Sequence, residues 1–228
     1  MLELIKLRVF VDEAGGHGNP VGIVVDQDAR LSTDARIEMT RDTGFSECIV
    51  IEDLKTRSVR TYTGQQEIAF AGHAALGAAW CCAELLGSIG STLQGPDGRI
   101  DVVSAGDLTW VGTELRTTPP WWHERLPTAE AIERLSGPQA ASQIHTQLWA
   151  WIDEATGRVR SRTFAAEWGI PEDEANGSGC MRLAAALARE LEIIHGAGSV
   201  IFARLSAPGV AEVGGRVVHD ETVSLPIS

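Results

Sequence analysis

Two stretches decide how this chain is read: Glu67-Ile-Ala-Phe-Ala-Gly-His73 and Pro171-Glu-Asp-Glu-Ala-Asn-Gly-Ser178. Each sets a glycine and a polar side chain at the mouth of a strongly apolar segment, and His73 and Ser178 lie 105 positions apart, the spacing of a duplicated half-site. A helix start carries unpaired backbone N–H groups and the positive end of the helix dipole, so it suits a carboxylate or another anion. Two such starts can grip one acid from both sides. Gly72 and Gly177 let a ligand approach the backbone, His73 adds an imidazole and Ser178 a hydroxyl. Singly, each motif reads as an ordinary helix cap; together they point to a site.

Working outward, residues 73–86 carry no charged group but Glu84 beside His73, so this helix must be buried on every side. Residues 178–192 read as a second core helix, with Arg182 and Arg189 on one wet edge. The rest is short, β-rich and punctuated by turns. Strands are expected over residues 4–11, 21–25, 45–51, 59–62, 99–103, 108–111, 147–152, 158–164, 199–204 and 211–218. A further helix runs over 32–43, capped by Ser32 or Thr33 and ended by Gly44. The pattern predicts an α+β fold in which strands wrap a central helix twice. Thr117-Thr-Pro-Pro120 marks the seam, because prolines interrupt any strand there. The halves are then 1–117 and 118–228, with the last strand, 220–228, available to the first. Trp121-Trp122 just past the seam reads either as a ligand-facing patch or as packing, and packing is the commoner meaning of an aromatic pair at a domain junction.

A length of 228 residues with 44% hydrophobic and 22% charged content is globular. No apolar run approaches the roughly 18 residues of a membrane span. The amino terminus lacks a signal-peptide pattern, so the expectation is a soluble, cytoplasmic protein. A net charge of −12 disfavours nucleic acid and acidic membrane surfaces as partners, while leaving room for a small anion in a pocket of N–H groups. Cys48, Cys81, Cys82 and Cys180 show no metal-ligand spacing, so neither a metal site nor a disulfide framework is expected.

Glu47 is the residue singled out for chemistry. It follows the helix-ending Gly44 among Phe45, Cys48 and Ile49, an apolar setting that raises a carboxyl pKa toward the range useful for shuttling protons; the competing reading is a surface carboxylate at a strand start. Asp173, in the loop before the second helix, either orients a substrate or, with Glu172 and Glu174, complements the helix dipole. Arg158, Arg160 and Arg162 alternate along one strand face, more commonly the mark of a solvated surface than of an acid-binding one.

In this order, Gly18-Asn-Pro20, Gly44-Phe-Ser-Glu47, Glu67 to His73 and Pro171 to Ser178 resemble the phenazine-biosynthesis isomerase (PhzF-like) family over nearly the whole chain, from about Leu4 to Pro226. The resemblance implies the diaminopimelate epimerase fold: two similar domains, each a β-barrel-like sheet around one helix, with the active site between them. It implies that Glu47 is the general acid/base, that His73, Asp173 and Ser178 hold and polarise the substrate, that Gly72 and Gly177 supply backbone contacts, and that Asn19 belongs to the cleft wall. No cofactor or metal is implied, and relatives of this fold are often homodimers. The family usually has threonine and alanine where this chain has Asn176 and Gly179, beside the presumed anion seat, so Asn176 is also counted among the substrate-binding residues.

Epimerases and racemases of this fold use two opposed thiols, and the corresponding positions here are Ala71 and Asn176. One carboxylate can still move a proton along one face of a conjugated acid. The expected activity is therefore double-bond isomerisation in a small unsaturated carboxylic acid. A non-catalytic acid-binding protein and, last, a carboxylate-based epimerase are the rival readings.

Overall fold

The computed structural model describes residues 2–137, 145–168 and 170–225; residues 226–228 of the expected last strand, including Pro226, lie outside them. Eight strands follow the first half of the chain: β1 (Leu2–Val11), β2 (Asn19–Val25), β3 (Cys48–Asp53), β4 (Ser58–Tyr62), β5 (Glu67–Ile68), β6 (Thr92–Gly95), β7 (Gly98–Ala105) and β8 (Leu108–Glu114). The second half supplies β9 (Trp122–Arg125), β10 (Thr146–Asp153), β11 (Arg158–Ala165), β12 (Ile170–Asp173), β13 (Leu191–His195), β14 (Ser199–Ala207) and β15 (Val210–Leu225). Among the described residues four α-helices accompany them: α1 (Thr33–Thr43), α2 (Gly72–Leu86), α3 (Ala129–Glu133) and α4 (Gly177–Leu187).

The fold is α+β, in two similar halves. Strands β1-β2-β3-β4-β6-β7-β8-β15 run side by side, and β15 pairs back onto β1, closing a barrel around α2. From β15 the sheet continues through β14, β13, β11 and β10 to β9, and α4 packs against β14 and β15. The long strand β15 serves both halves: Val210–Gly215 pairs with β8 on one edge, Val210–Gly214 with β14 on the other, and Arg216–Leu225 with β1.

Helix α2 is made of small apolar residues because the barrel walls come close. A Cβ on Gly77 would lie 3.1 Å from Val21 Cγ1 and 3.4 Å from Ile23 Cδ1, ordinary side-chain positions on β2. From Gly72 to Cys82 every residue is buried except the half-buried Trp80, and the last turn emerges, with Leu85 and Leu86 exposed before Gly87 ends the helix in the left-handed region. Helix α1 lies outside the barrel, where Arg36 bonds Glu52, Tyr62 and the buried Asp26.

Helix α4 is shorter than the expected 178–192. It stops at Leu187, with Ala188 left-handed at φ 51°, and Leu191–His195 becomes β13. The reason is tertiary: Leu-Glu-Ile-Ile-His alternates buried and half-buried positions between β11 and β14, a pattern that sheet pairing rewards and that a short apolar run cannot distinguish from helix. Arg189 is consequently not on the helix, and its guanidinium stands over the Trp151 ring.

Candidate active site

The amino ends of α2 and α4 meet tip to tip. A Cβ placed on Gly72 would come 3.3 Å from Gly177 Cα, and one placed on Gly177 would come 3.4 Å from Gly72 Cα and 3.2 Å from Phe10 Cζ. The two glycines thus put backbone against backbone. A β-bulge between Val9 and Val11 sets Phe10 at φ 68° and seats its ring beside this junction. The helices begin one residue earlier than His73 and Ser178 suggested. Ala71 caps α2 with no side-chain bond, and Asn176 caps α4.

Beside these tips lies a cleft of about 830 Å³, walled by Glu47, Gly72, His73, Asp173, Asn176, Gly177 and Ser178 together with Phe45, Phe70 and Trp121. Strand β3 begins at Cys48, so Glu47 sits on the short connector after α1 rather than in a strand, its side chain 13% exposed. Asn19 does not line the cleft. It works one layer back, donating from Nδ2 to Asp173 Oδ1 at 2.9 Å and to the Ala175 carbonyl at 3.1 Å.

Burial governs the protonation of the three candidate groups. It pushes the Glu47 carboxyl above the ordinary carboxylate range, with the Ser46 hydroxyl opposing. It drives His73 down to about 4 against the pull of Asp173, which keeps the imidazole neutral near pH 7. Asp173 is lifted to about 6 by burial and then by the Glu47 charge, with His73, the Ala175 N–H and Asn19 opposing. His73 Nε2 and Glu47 Oε2 are 3.4 Å apart. A neutral imidazole makes no salt bridge, and both atoms are buried without a hydrogen-bond partner. Oδ1 of Asp173 takes both of that residue's bonds, from Asn19 and from the Ala175 N–H. The arrangement offers a substrate two carboxyls of elevated pKa, that of Asp173 held in place from behind, and one neutral imidazole.

Ser178 is committed within the protein: its hydroxyl accepts from the Trp121 indole N–H at 2.9 Å and donates to Asn176 Oδ1 at 3.2 Å. The expectation that Trp121 and Trp122 simply pack fails for both. Trp121 walls the cleft, while Trp122 is 58% exposed on β9. The ligand-facing reading set aside for the pair holds for Trp121, but its partner could not be read locally, since Ser178 is 57 positions away. Glu174, read as complementing the helix dipole, instead clamps the neighbouring loop by accepting from Ser199 Oγ at 2.6 Å and the Ala197 N–H at 2.9 Å. Ser199 Oγ in turn accepts from the Gly18 N–H, which ties in the loop that leads into Asn19 at the start of β2. The alternating arginines lie elsewhere: Arg160 pairs with Glu133 of α3, Arg162 with Glu172 and Arg158 with Glu192. None of the four cysteines lines the cleft, and Cys180, inside α4, has its thiol pushed up to about 12 by burial.

A family model described as phenazine biosynthesis-like protein matches residues 7–136. A trans-2,3-dihydro-3-hydroxyanthranilate isomerase from Pseudomonas aeruginosa is 27% identical over 227 aligned residues, covering 78% of this chain and 77% of that protein. Among solved structures, a PhzF-family phenazine biosynthesis protein from Enterococcus faecalis superposes with a TM-score of 0.79 at 15% identity, over 97% of each chain. A hydroxyproline epimerase from Agrobacterium vitis superposes with a TM-score of 0.57 at 11% identity, over 97% of this chain and 91% of that one. At these identities the solved structures speak for a shared fold.

Proposed function

The chain belongs to the phenazine biosynthesis-like protein family, and from that premise we propose that it is a cofactor-independent isomerase that moves a double bond in a small unsaturated carboxylic acid. One observation carries the reading: Glu47, its pKa raised by burial and its Oε2 unpartnered, faces a cleft at whose wall two helix amino ends converge. In this mechanism the substrate carboxylate lies toward the N–H groups of those ends, where charge developing on the conjugated acid is stabilised. The Glu47 carboxylate takes a proton from a carbon next to the unsaturation. The C–H electron pair moves into the conjugated system, the double bond shifts, and the same carboxyl returns the proton to the far carbon. His73 and Asp173 hydrogen-bond the substrate's polar groups, and Asn19 holds Asp173. Inversion by two opposed thiols is unsupported, because Ala71 and Asn176 occupy the two capping positions.

The proposal takes residues 1–117 with the closing segment of β15 as one half, 118 onward as the other, and a homodimer as the working assembly. The substrate named for the Pseudomonas relative, trans-2,3-dihydro-3-hydroxyanthranilate, is the first compound to try. Proton NMR in deuterium oxide should show the double bond migrating, with deuterium or the original hydrogen at the new carbon, and Glu47→Gln should abolish it while melting like wild type. Undiminished turnover by Glu47→Gln would falsify the role of this carboxylate. A Glu47→Gln protein and a wild type that bind small acids equally and turn over none would favour a binding protein.

A further inference from the structure

Asn176 is fixed at the cleft with only half of its amide in use. Its Oδ1 accepts from the Gly179 N–H at 2.6 Å and from the Ser178 hydroxyl, which the Trp121 indole holds in turn. A backbone N–H only donates, so the atom facing Gly179 is oxygen and the amide orientation is settled. The NH₂ is therefore the end left without a bond, in a residue that lines the cleft. That Nδ2 is buried, in a residue 3% exposed, and has no partner. A buried donor left unmatched is unfavourable, and an acceptor on a ligand relieves it.

Gly179 is what makes the seat possible. A Cβ there would lie 2.9 Å from Asn176 Oδ1, 3.1 Å from its Cγ and 2.8 Å from Gln147 Oε1. Gln147 is anchored through Nε2 to Ser161 and Cys180, so it cannot swing aside freely. Even one methyl at 179 must push the Asn176 amide out of its capping position.

We infer that Asn176, seated by Gly179, is a specificity-determining residue: a donor-only contact that selects a ligand placing a carboxylate oxygen at this corner of the cleft. The inference rests on the cleft being the seat of a small acid, as proposed above, and not on turnover. An N–H to a carboxylate is a charge-assisted bond, stronger than the same N–H to a neutral hydroxyl.

Calorimetric binding of two probes, anthranilate and 2-aminobenzyl alcohol, tests it in wild type, Asn176→Ser, Asn176→Asp and Gly179→Ala. Serine keeps an N-cap acceptor but has no NH₂; aspartate keeps both Oδ1 bonds and replaces the NH₂ by an acceptor. Anthranilate affinity should fall about tenfold in Asn176→Ser, with the alcohol changed less than about threefold, and should fall further in Asn176→Asp. Gly179→Ala should match Asn176→Ser, and joining the two should add nothing more. Melting temperatures close to wild type mark the folds as intact. An unchanged preference in Asn176→Ser overturns the assignment. So does a loss confined to Asn176→Asp, which would be through-space repulsion, or an equal loss of both probes, or a wild type that binds neither. A wild type that shows the expected pattern but turns nothing over removes the isomerase reading and leaves Asn176 assigned.

Discussion

Oε2 of Glu47 and Nε2 of His73 stand 3.4 Å apart, and neither has a hydrogen-bond partner. Burial drives both groups toward their uncharged forms. They form a pair of unmet polar atoms, which a ligand can bridge, rather than an ion pair that holds the fold together.

Replacing Glu47 by Gln should therefore leave stability at or slightly above wild type, because a buried group with a raised pKa is exchanged for a neutral one of the same shape. Turnover should drop by roughly 10²–10⁴, the usual worth of a positioned acid/base. Thermal melts and NMR rates on the same preparation check both halves.

Gly72→Ala and Gly177→Ala should each destabilise by about 1–3 kcal/mol, since a Cβ at either place meets the other helix's backbone within 3.4 Å. Urea unfolding measures the loss. The double variant should lose less than the sum of the two, because the first methyl already separates the tips.

Acid should weaken the protein in a window set by two histidines. His73 and His195 are each held by burial at about 4 instead of 6.5. The unfolded chain takes up protons there that the folded chain refuses, so the stability they supply is present above 6.5 and lost as pH falls toward 4. Asp173 works the other way: its folded pKa of about 6 exceeds the ordinary 3.8, so its burden on the fold is felt as pH rises through 6 and lifts as pH falls. Melting temperature should drop between pH 6.5 and 4.5, more steeply in Asp173→Asn and less steeply in His195→Gln. Parallel curves for all three proteins would contradict this.

Glu174→Ala should cost about 1–3 kcal/mol by stranding the buried Ser199 hydroxyl, while the exposed Ala197 N–H turns to water. Through Ser199 and Gly18 it should also loosen the loop before Asn19, raising KM more than it lowers kcat. Glu174→Gln should recover part of both losses.

What the chain revealed before folding was local. The apolar run after Gly72 and the one after Gly177 disclosed both core helices, and the Gly44 stop followed by apolar neighbours drew attention to Glu47. What stayed hidden was whatever depends on partners far along the chain. Asn19 meets Asp173 across 154 positions, and Trp121 reaches Ser178 across 57. The end of α4 was misread because Leu191–His195 is short and apolar enough for either structure until β11 and β14 flank it. Asn176 as the α4 cap was missed for a related reason: the serine two places on looks like the stronger local signal, and only the fold commits that hydroxyl to Trp121.

Because residues 210–225 form the stave that closes the barrel, the wall around α2, the helix that carries His73, is complete only after that late segment has been synthesised. On the ribosome the nascent first half carries an open seam between β1 and β8. Chaperone capture or aggregation during translation should concentrate at that seam, so expression yield should respond more to edits in 210–225 than to edits of equal size in exposed loops.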